Sequence, residues 1–284
     1  MSSIFMRFPE GRKKALTLSY DDGVEQDIRL IEIMKQNGLK GTFNLNSGAY
    51  APEGKVYPGG KIHRRMSRSA AQKLYTDSGM EVAVHGLTHP FLEQLPENIC
   101  MYEILQDRMN LEKEYGCMVR GMAYPFGTYS DSVVASLKQC GIVYSRTTIS
   151  TEKFDIPSDW LRLPATCHHG NPRLMELAHK FVENTFDRKP GLFYLWGHSY
   201  EFDYNEPNNN WGVIEEFAEF IGGREDIWYA TNIEIYDYIA AYKQLIFSTD
   251  GKRIYNPTCT TLYFEIKNVT YKIQAGETVV LEHA

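Results

Sequence analysis

Short apolar or β-branched runs alternate with stretches of helical periodicity from the N-terminus to about residue 245, the rhythm of βα units laid around a parallel sheet. Ala15–Tyr20 reads as the first strand, and the helix after it carries Ile28, Ile31 and Met34 at helical spacing before Gly38 supplies a stop. Thr42–Leu45 is a second strand. A Pro- and Gly-bearing excursion over 52–60 separates it from a short helix that Ser69 can cap and that ends near Gly79. Strand Glu81–Val84, a long helix Glu97–Tyr115, strand Val119–Tyr124, helix Asp131–Gln139 and strand Ile142–Ser145 follow. Leu161–Pro164 reads as a short strand, and Pro172 as the first-turn proline of another helix. Strand Leu192–Trp196, helix Val213–Ile221, strand Ile227–Ala230 and helix Ile233–Leu245 complete the series. Roughly seven βα units favour a closed or nearly closed barrel over an open sheet.

After residue 246 the texture changes. Thr261–Ile266, Thr270–Ile273 and Thr278–Leu281 are short strands separated by the turn signals Lys267-Asn268 and Ala275-Gly276. The expected organisation is a barrel over 1–245 and a small antiparallel β extension over 246–284 that packs against it.

Composition narrows the function classes. At 43% hydrophobic and 23% charged residues in 284, the chain has the make-up of a soluble globular protein. A net charge of -6 without any long basic run argues against a nucleic-acid partner, which needs clustered Lys and Arg. No apolar run approaches the ~18 residues of a membrane span, and Met1–Pro9 lacks a signal-like apolar region, so no membrane partner is expected. The chain therefore reads as cytoplasmic, as would a secreted chain trimmed of its signal. The 5 cysteines are scattered without a Cys-x-x-Cys pair and read as reduced, buried filler. An aromatic content of 13% suits a cleft that stacks on sugar rings, and equally a well-filled core.

The polar residues fall at strand ends. Asp21-Asp22 follow the first strand, His85 follows Glu81–Val84, Tyr124-Pro125-Phe126-Gly127 close the next, and His198 follows Leu192–Trp196. In parallel α/β folds these ends converge on one face. In His85-Gly86-Leu87-Thr88-His89 two imidazoles stand four residues apart, and Pro90 disfavours helical geometry at His89, so a tight loop is expected. Alone, that pattern equally describes one solvated loop histidine and one hydrogen-bonded strand terminus. Asp21-Asp22 shifts the balance, because adjacent carboxylates repel unless a cation or proton lies between them, although one of them can instead cap the helix starting near Val24. A carboxylate and two histidines make a site with open positions for water and substrate. Such a metal lowers the pKa of bound water to about 7 and polarises a carbonyl, leaving the second carboxylate to take a proton.

Thr17–Gly23, His85–His89, Ala123–Gly127 and Leu195–His198, in this order, resemble the motifs of the polysaccharide deacetylase family, also called the NodB-homology or carbohydrate esterase family 4 group. The resemblance implies a distorted (β/α)7 barrel. It implies Asp21 as general base and Asp22, His85 and His89 as ligands of one divalent ion, commonly zinc, with Co, Ni, Mn or Fe as alternatives. It implies His198 as general acid and the backbone N–H of Phe126 as an oxyanion donor, with Tyr124 and Trp196 shaping the substrate pocket. The sequence also departs from the family. Ala123 stands where an arginine often steadies the catalytic aspartate, and Arg162 is the substitute candidate, with a plain surface arginine as the alternative. The family's Asp-x-x-Asp-Trp is echoed with one residue too many by Asp155–Trp160, which leaves Glu201 and Asp203 as further candidates to orient His198. Trp196 replaces the usual Leu. His168, His169 and His179 match no motif; His179 reads as structural, and the pair His168-His169 could reach the site from a strand end but does not read as a primary ligand. Tyr200 and Trp211 read either as a sugar-stacking wall or as loop packing.

The implied function is metal-dependent hydrolysis of acetyl groups from an N- or O-acetylated oligosaccharide or polysaccharide. The alternative is an amidase acting on a small non-sugar amide with the same ligand set. A sugar-binding scaffold with a decayed site is disfavoured, because Asp21, Asp22, His85, His89 and His198 are all present.

Overall fold

The computed structural model describes residues 3–281, so the outermost residues of both expected domains, 1–2 and 282–284, lie outside the described residues. Strand β1 (Ile4–Arg7) precedes the series β2 (Lys14–Asp21), α1 (Asp27–Gln36), β3 (Gly41–Leu45), α2 (Arg68–Thr76), β4 (Glu81–Val84), α3 (Glu97–Tyr115), β5 (Gly121–Ala123) and α4 (Asp131–Gln139). It continues with β6 (Tyr144–Ser150), β7 (Leu163–Ala165), β8 (Cys167–His168), α5 (Leu174–Glu183), β9 (Gly191–Gly197), α6 (Trp211–Ile221), β10 (Ile227–Tyr229) and α7 (Asn232–Tyr242). The C-terminal strands are β11 (Ile246–Phe247), β12 (Arg253–Tyr255), β13 (Leu262–Ile266), β14 (Val269–Ile273) and β15 (Thr278–Val280).

Every residue of β2 is buried, as a strand covered on both faces requires. The sheet runs β7-β6-β5-β4-β3-β2-β9-β8, with every neighbouring pair parallel. Its two ends meet. β7 pairs with β6, β8 pairs with β9, and only Thr166 separates them. The Thr166 N–H donates to Tyr194 O (2.8 Å) while its own carbonyl accepts from Glu152 N (2.8 Å). β7 and β8 thus act as a seventh strand that joins both edges into a ring. β10 adds the distortion: it pairs with the start of β2 (Ile227↔Lys14), whereas β3 pairs with the end (Asp21↔Asn44). Since β9 occupies the other edge of β2 throughout, β10 and β3 share one edge.

Local chemistry sets the helix ends. Ser130, Asn210 and Thr231 cap α4, α6 and α7, the last with Glu234 in a capping box. Two expectations shift. Ser67, not Ser69, caps α2, because the Ser69 hydroxyl is bound to Glu53. α5 starts at Leu174, after a turn containing Pro172. β6 outruns its apolar stretch: it was expected to end at Ser145 but continues to Ser150, and Arg146 and Thr147 are fully buried. The cysteines also divide, with Cys100, Cys140 and Cys167 buried but Cys117 and Cys259 exposed, which corrects the buried reading of all five.

β13 pairs antiparallel with both β14 and β1, so the N-terminal residues are tied to the C-terminal ones, and β11-β12-β15 form a second small sheet. The buried pair Arg7–Glu265 (3.0 Å) crosses the first of these sheets. Leu262, Phe264 and Ile273 belong to one apolar cluster with Tyr238 and Ile239 of α7 and Leu192 and Tyr194 of β9. No helix among the described residues is long and apolar enough to cross a membrane.

Candidate active site

At the end of β2 the chain reverses sharply. Asp22 adopts φ 82° and Gly23 φ 65°, a left-handed pair that bends the backbone directly after Asp21. After β4, Gly86 (φ 75°) and His89 (φ 61°) form the expected tight loop. Asn46 Nδ2 donates to the carbonyls of His85 (2.5 Å) and Gly86 (2.7 Å), and Glu103 of α3 accepts from both N–H and hydroxyl of Thr88 (2.9 Å each). Strain at three non-glycine positions of this face, Asp22, His89 and Phe126 (φ 59°), is held in place by such contacts.

The result is a cluster in which ligand atoms of Asp22, His85 and His89 lie within 4.8 Å of one another. His85 donates Nδ1–H to Ala123 O (2.8 Å), which fixes its tautomer and leaves a lone pair on Nε2. That Nε2 is buried and has no hydrogen-bond partner, with Asp21 Oδ2 3.8 Å away. An orphaned imidazole nitrogen beside a second imidazole and a carboxylate fits a divalent cation. Burial is the main reason that His89 is pushed down to about 4, which keeps it a neutral donor. Burial would raise the Asp22 pKa, but hydrogen bonding to His63 (Nε2–Oδ2 3.2 Å) and the charges of His85 and Arg65 (Arg65 to Oδ1 2.8 Å) hold it well below the usual carboxylate range. His63 and Arg65 come from the 46–67 excursion.

Asp21 accepts hydrogen bonds from the buried guanidinium of Arg146 and from Asn44 Nδ2 (2.9 Å). Burial opposes its charge, but Arg146, His85 and His198 lower its pKa, so it stands ionised. Arg146 also lies 4.5 Å from the ring centre of Trp196, so the unusual tryptophan and the displaced arginine pack as one unit. Arg162 is corrected: it pairs at the surface with Asp131 (2.5 Å) and Asp159 (2.7 Å) and does not reach Asp21.

His198 places Nε2 3.7 Å from Asp21 Oδ2, and its Nδ1 meets Glu201 Oε1 at 3.1 Å. Burial works against protonation of this ring, but the Glu201 hydrogen bond and the charge of Asp21 outweigh it, and the pKa is raised. The orienting acid is therefore Glu201. Asp159 caps the turn Trp160–Arg162, and Asp203 faces Gln26, Arg64 and Trp211.

Asp21, Asp22, His85, His89 and His198 line a cavity of about 270 Å3 together with Tyr124, Phe126, Thr148, Trp196 and Tyr200. The Tyr124 hydroxyl is bound to Leu161 O (2.7 Å), so this residue supplies wall. Phe126 is half exposed and stacks face to face on Phe91 at 3.8 Å. Trp211 is bound to Asp203 with Arg29 over its ring, and His179 packs on Phe220; neither lines the cavity. Arg146 was missed because an arginine after an apolar run looks like the end of a strand. His63 and Arg65 were missed because they sit in a loop without periodicity.

A parallel α/β ring whose strand ends carry a two-histidine, one-carboxylate cluster beside a carboxylate–imidazole pair fits an α/β-barrel hydrolase. Residues 9–145 match the family model described as polysaccharide deacetylase. Over residues 9–145 the chain is thus similar to the polysaccharide deacetylases. Its fold is shared with a structure from Mycobacterium smegmatis assigned to the polysaccharide deacetylases, at 18% identity and TM-score 0.59, over 86% of this chain and 96% of that one. It is also shared with the family 4 carbohydrate esterase from Streptomyces lividans in complex with acetate, at 16% identity and TM-score 0.51, over 77% and 93%. The likeness to the Streptococcus pyogenes deacetylase PplD in complex with acetate has 20% identity and TM-score 0.45, over 51% of this chain and 61% of that one. No curated protein matches the sequence.

Proposed function

We propose that the protein is a metal-dependent deacetylase that removes acetyl groups from an N- or O-acetylated carbohydrate. The carrying observation is the buried Nε2 of His85, without a hydrogen-bond partner, beside Asp22 and His89, with Asp21 Oδ2 lying 3.8 Å from it and 3.7 Å from His198 Nε2. Asp22, His85 and His89 would hold the ion, for which zinc best suits the donor set. When bound, it supplies Lewis-acid polarisation of the acyl oxygen and activation of water.

The remaining work falls to the chain. Asp21, kept ionised by Arg146, takes the proton of the attacking water. His198, protonated and oriented by Glu201, gives its Nε2 proton to the departing amine or alkoxide. To the Phe126 N–H, at a left-handed turn on the cavity wall, we assign the donor role toward the developing oxyanion, typically worth ~3 kcal/mol in the transition state. The exposed Phe91–Phe126 pair offers an apolar face to a sugar ring.

The test is acetate release from N- and O-acetylated oligosaccharides by protein stripped with a chelator and reloaded with Zn, Co, Ni, Mn or Fe. Metal-restored acetate release is expected. Ring opening of a small cyclic amide without acetate release from any sugar would replace this reading by the amidase.

A further inference from the structure

Behind His198, one carboxylate serves three imidazoles. Glu201 Oε1 faces Nδ1 of His198 (3.1 Å), and its Oε2 faces Nε2 of His169 (2.8 Å) and Nε2 of His168 (3.0 Å). Ligand atoms of His168, His198 and Glu201 lie within 4.8 Å of one another, a spacing that a second cation also fits. The tautomers decide between cation and hydrogen bonds. Gly170 N–H donates to Nδ1 of His168 (3.1 Å), which puts the ring proton on Nε2, where a metal ligand needs a lone pair. For His169, Nδ1 lies 3.2 Å from the Tyr20 hydroxyl and Nε2 faces the carboxylate. A lone pair on Nε2 would meet the lone pairs of Oε2, so the proton sits there and Tyr20 donates to Nδ1. Burial, the largest influence, pushes His169 down to about 4, so it serves as a neutral donor.

The surroundings fix both rings. His169 is buried between Tyr20 and Phe202, and a Cβ at Gly197 would lie 2.2 Å from its Nδ1, so only glycine at the end of β9 leaves room for it. His168 meets Trp196 edge-on at 4.6 Å.

We propose that His168 and His169 are positioning residues that act on His198 through Glu201. Their two Nε2–H groups fix Oε2, which holds the carboxylate in the rotamer where Oε1 binds Nδ1–H of His198 and leaves Nε2 turned to Asp21. Glu has rotatable torsions that neither its neighbours on the turn Ser199–Tyr204 nor His198 alone would fix. The inference rests on the reading of His198 as proton donor.

The test uses metal-loaded protein and three variants. His168→Phe and His169→Phe keep a ring and remove a donor, whereas His168→Gln restores an N–H toward Glu201. In both Phe variants kcat is expected to fall about tenfold with KM changed by less than about twofold, inside the ~10²–10⁴ that a general acid supplies. His168→Gln is expected to return kcat to near the parent value. The proton resonance of the His198 Nδ1–H bonded to Glu201 is expected to move in the Phe variants and to stay in His168→Gln. Unchanged kcat with an unmoved resonance in both Phe variants overturns the proposal. So does a second bound equivalent of zinc that disappears in His168→Phe. Where His169→Phe does not fold, the two variants at the half-exposed His168 decide alone. The resonance needs no turnover, so a parent protein that releases no acetate defeats the functional reading while the network is still decided.

Discussion

The two flanks of the cavity use the same residue types and are finished in opposite ways. On the Asp22 flank, His85 Nε2 is buried with no hydrogen-bond partner, reaching Asp21 only at 3.8 Å, and His89 Nε2 reaches Asp22 only at 3.9 Å. On the His198 flank, each imidazole nitrogen facing Glu201 is within 3.1 Å of a carboxylate oxygen. Burial depresses the histidines of the first flank, whereas carboxylates raise His198 on the second. Imidazoles left incomplete and neutral suit an external cation, and an imidazole completed by a carboxylate suits proton transfer. Backbone strain follows the same division, with Asp22, His89 and Phe126 at positive φ and His198 at φ -125°.

Breaking the open flank has the largest expected effect. His85→Ala removes the nitrogen that no protein group replaces, and both bound metal and acetate release are expected to fall to background, read by elemental analysis beside the activity assay. Asp21→Asn comes next: turnover is expected to drop by roughly 10²–10⁴ while metal content stays at the parent level. The same change leaves Arg146 buried without its partner, a loss of roughly 3–5 kcal/mol visible in denaturant unfolding.

Glu201→Gln tests the closed flank. His198 acts when protonated, and its raised pKa carries activity to higher pH before it declines. Removing the carboxylate lowers that pKa, so the alkaline limb of the kcat profile is expected to shift to lower pH. The sign for stability agrees. The pairing stabilises the fold fully below the unfolded histidine pKa of about 6.5 and is lost as pH rises through the folded value. The smallest effect is expected at Arg162, whose partners are surface carboxylates: Arg162→Ala should leave kcat/KM unchanged and stability within about 0.5 kcal/mol.

Much of this contrast was legible in the chain. The strand–helix rhythm located all seven helices of the barrel, α3 and α4 to the residue, because amphipathic spacing and capping residues are local signals. Asp21, His85 and His198 were visible at the ends of apolar runs, Asp22 by its adjacency to Asp21 and His89 by its spacing from His85. Arg146 was not, because strand periodicity stops at the apolar residues and says nothing of a buried arginine that its cross-barrel partner makes tolerable. β1 was missed for a related reason: its four residues become a strand only by pairing with β13, more than 250 positions away.

By itself, then, the sequence determined the order of elements, the convergence of the strand-end residues on one face and the pair of histidines in a tight loop. All of these depend on side-chain period, turn chemistry and the polarity of a parallel strand. The tertiary structure alone decided that β7 and β8 close the ring across Thr166, that Arg146 rather than Arg162 meets Asp21, and that Glu201 gathers three histidines. Those outcomes turn on which buried charge finds its partner across the barrel, and no local pattern encodes that distance.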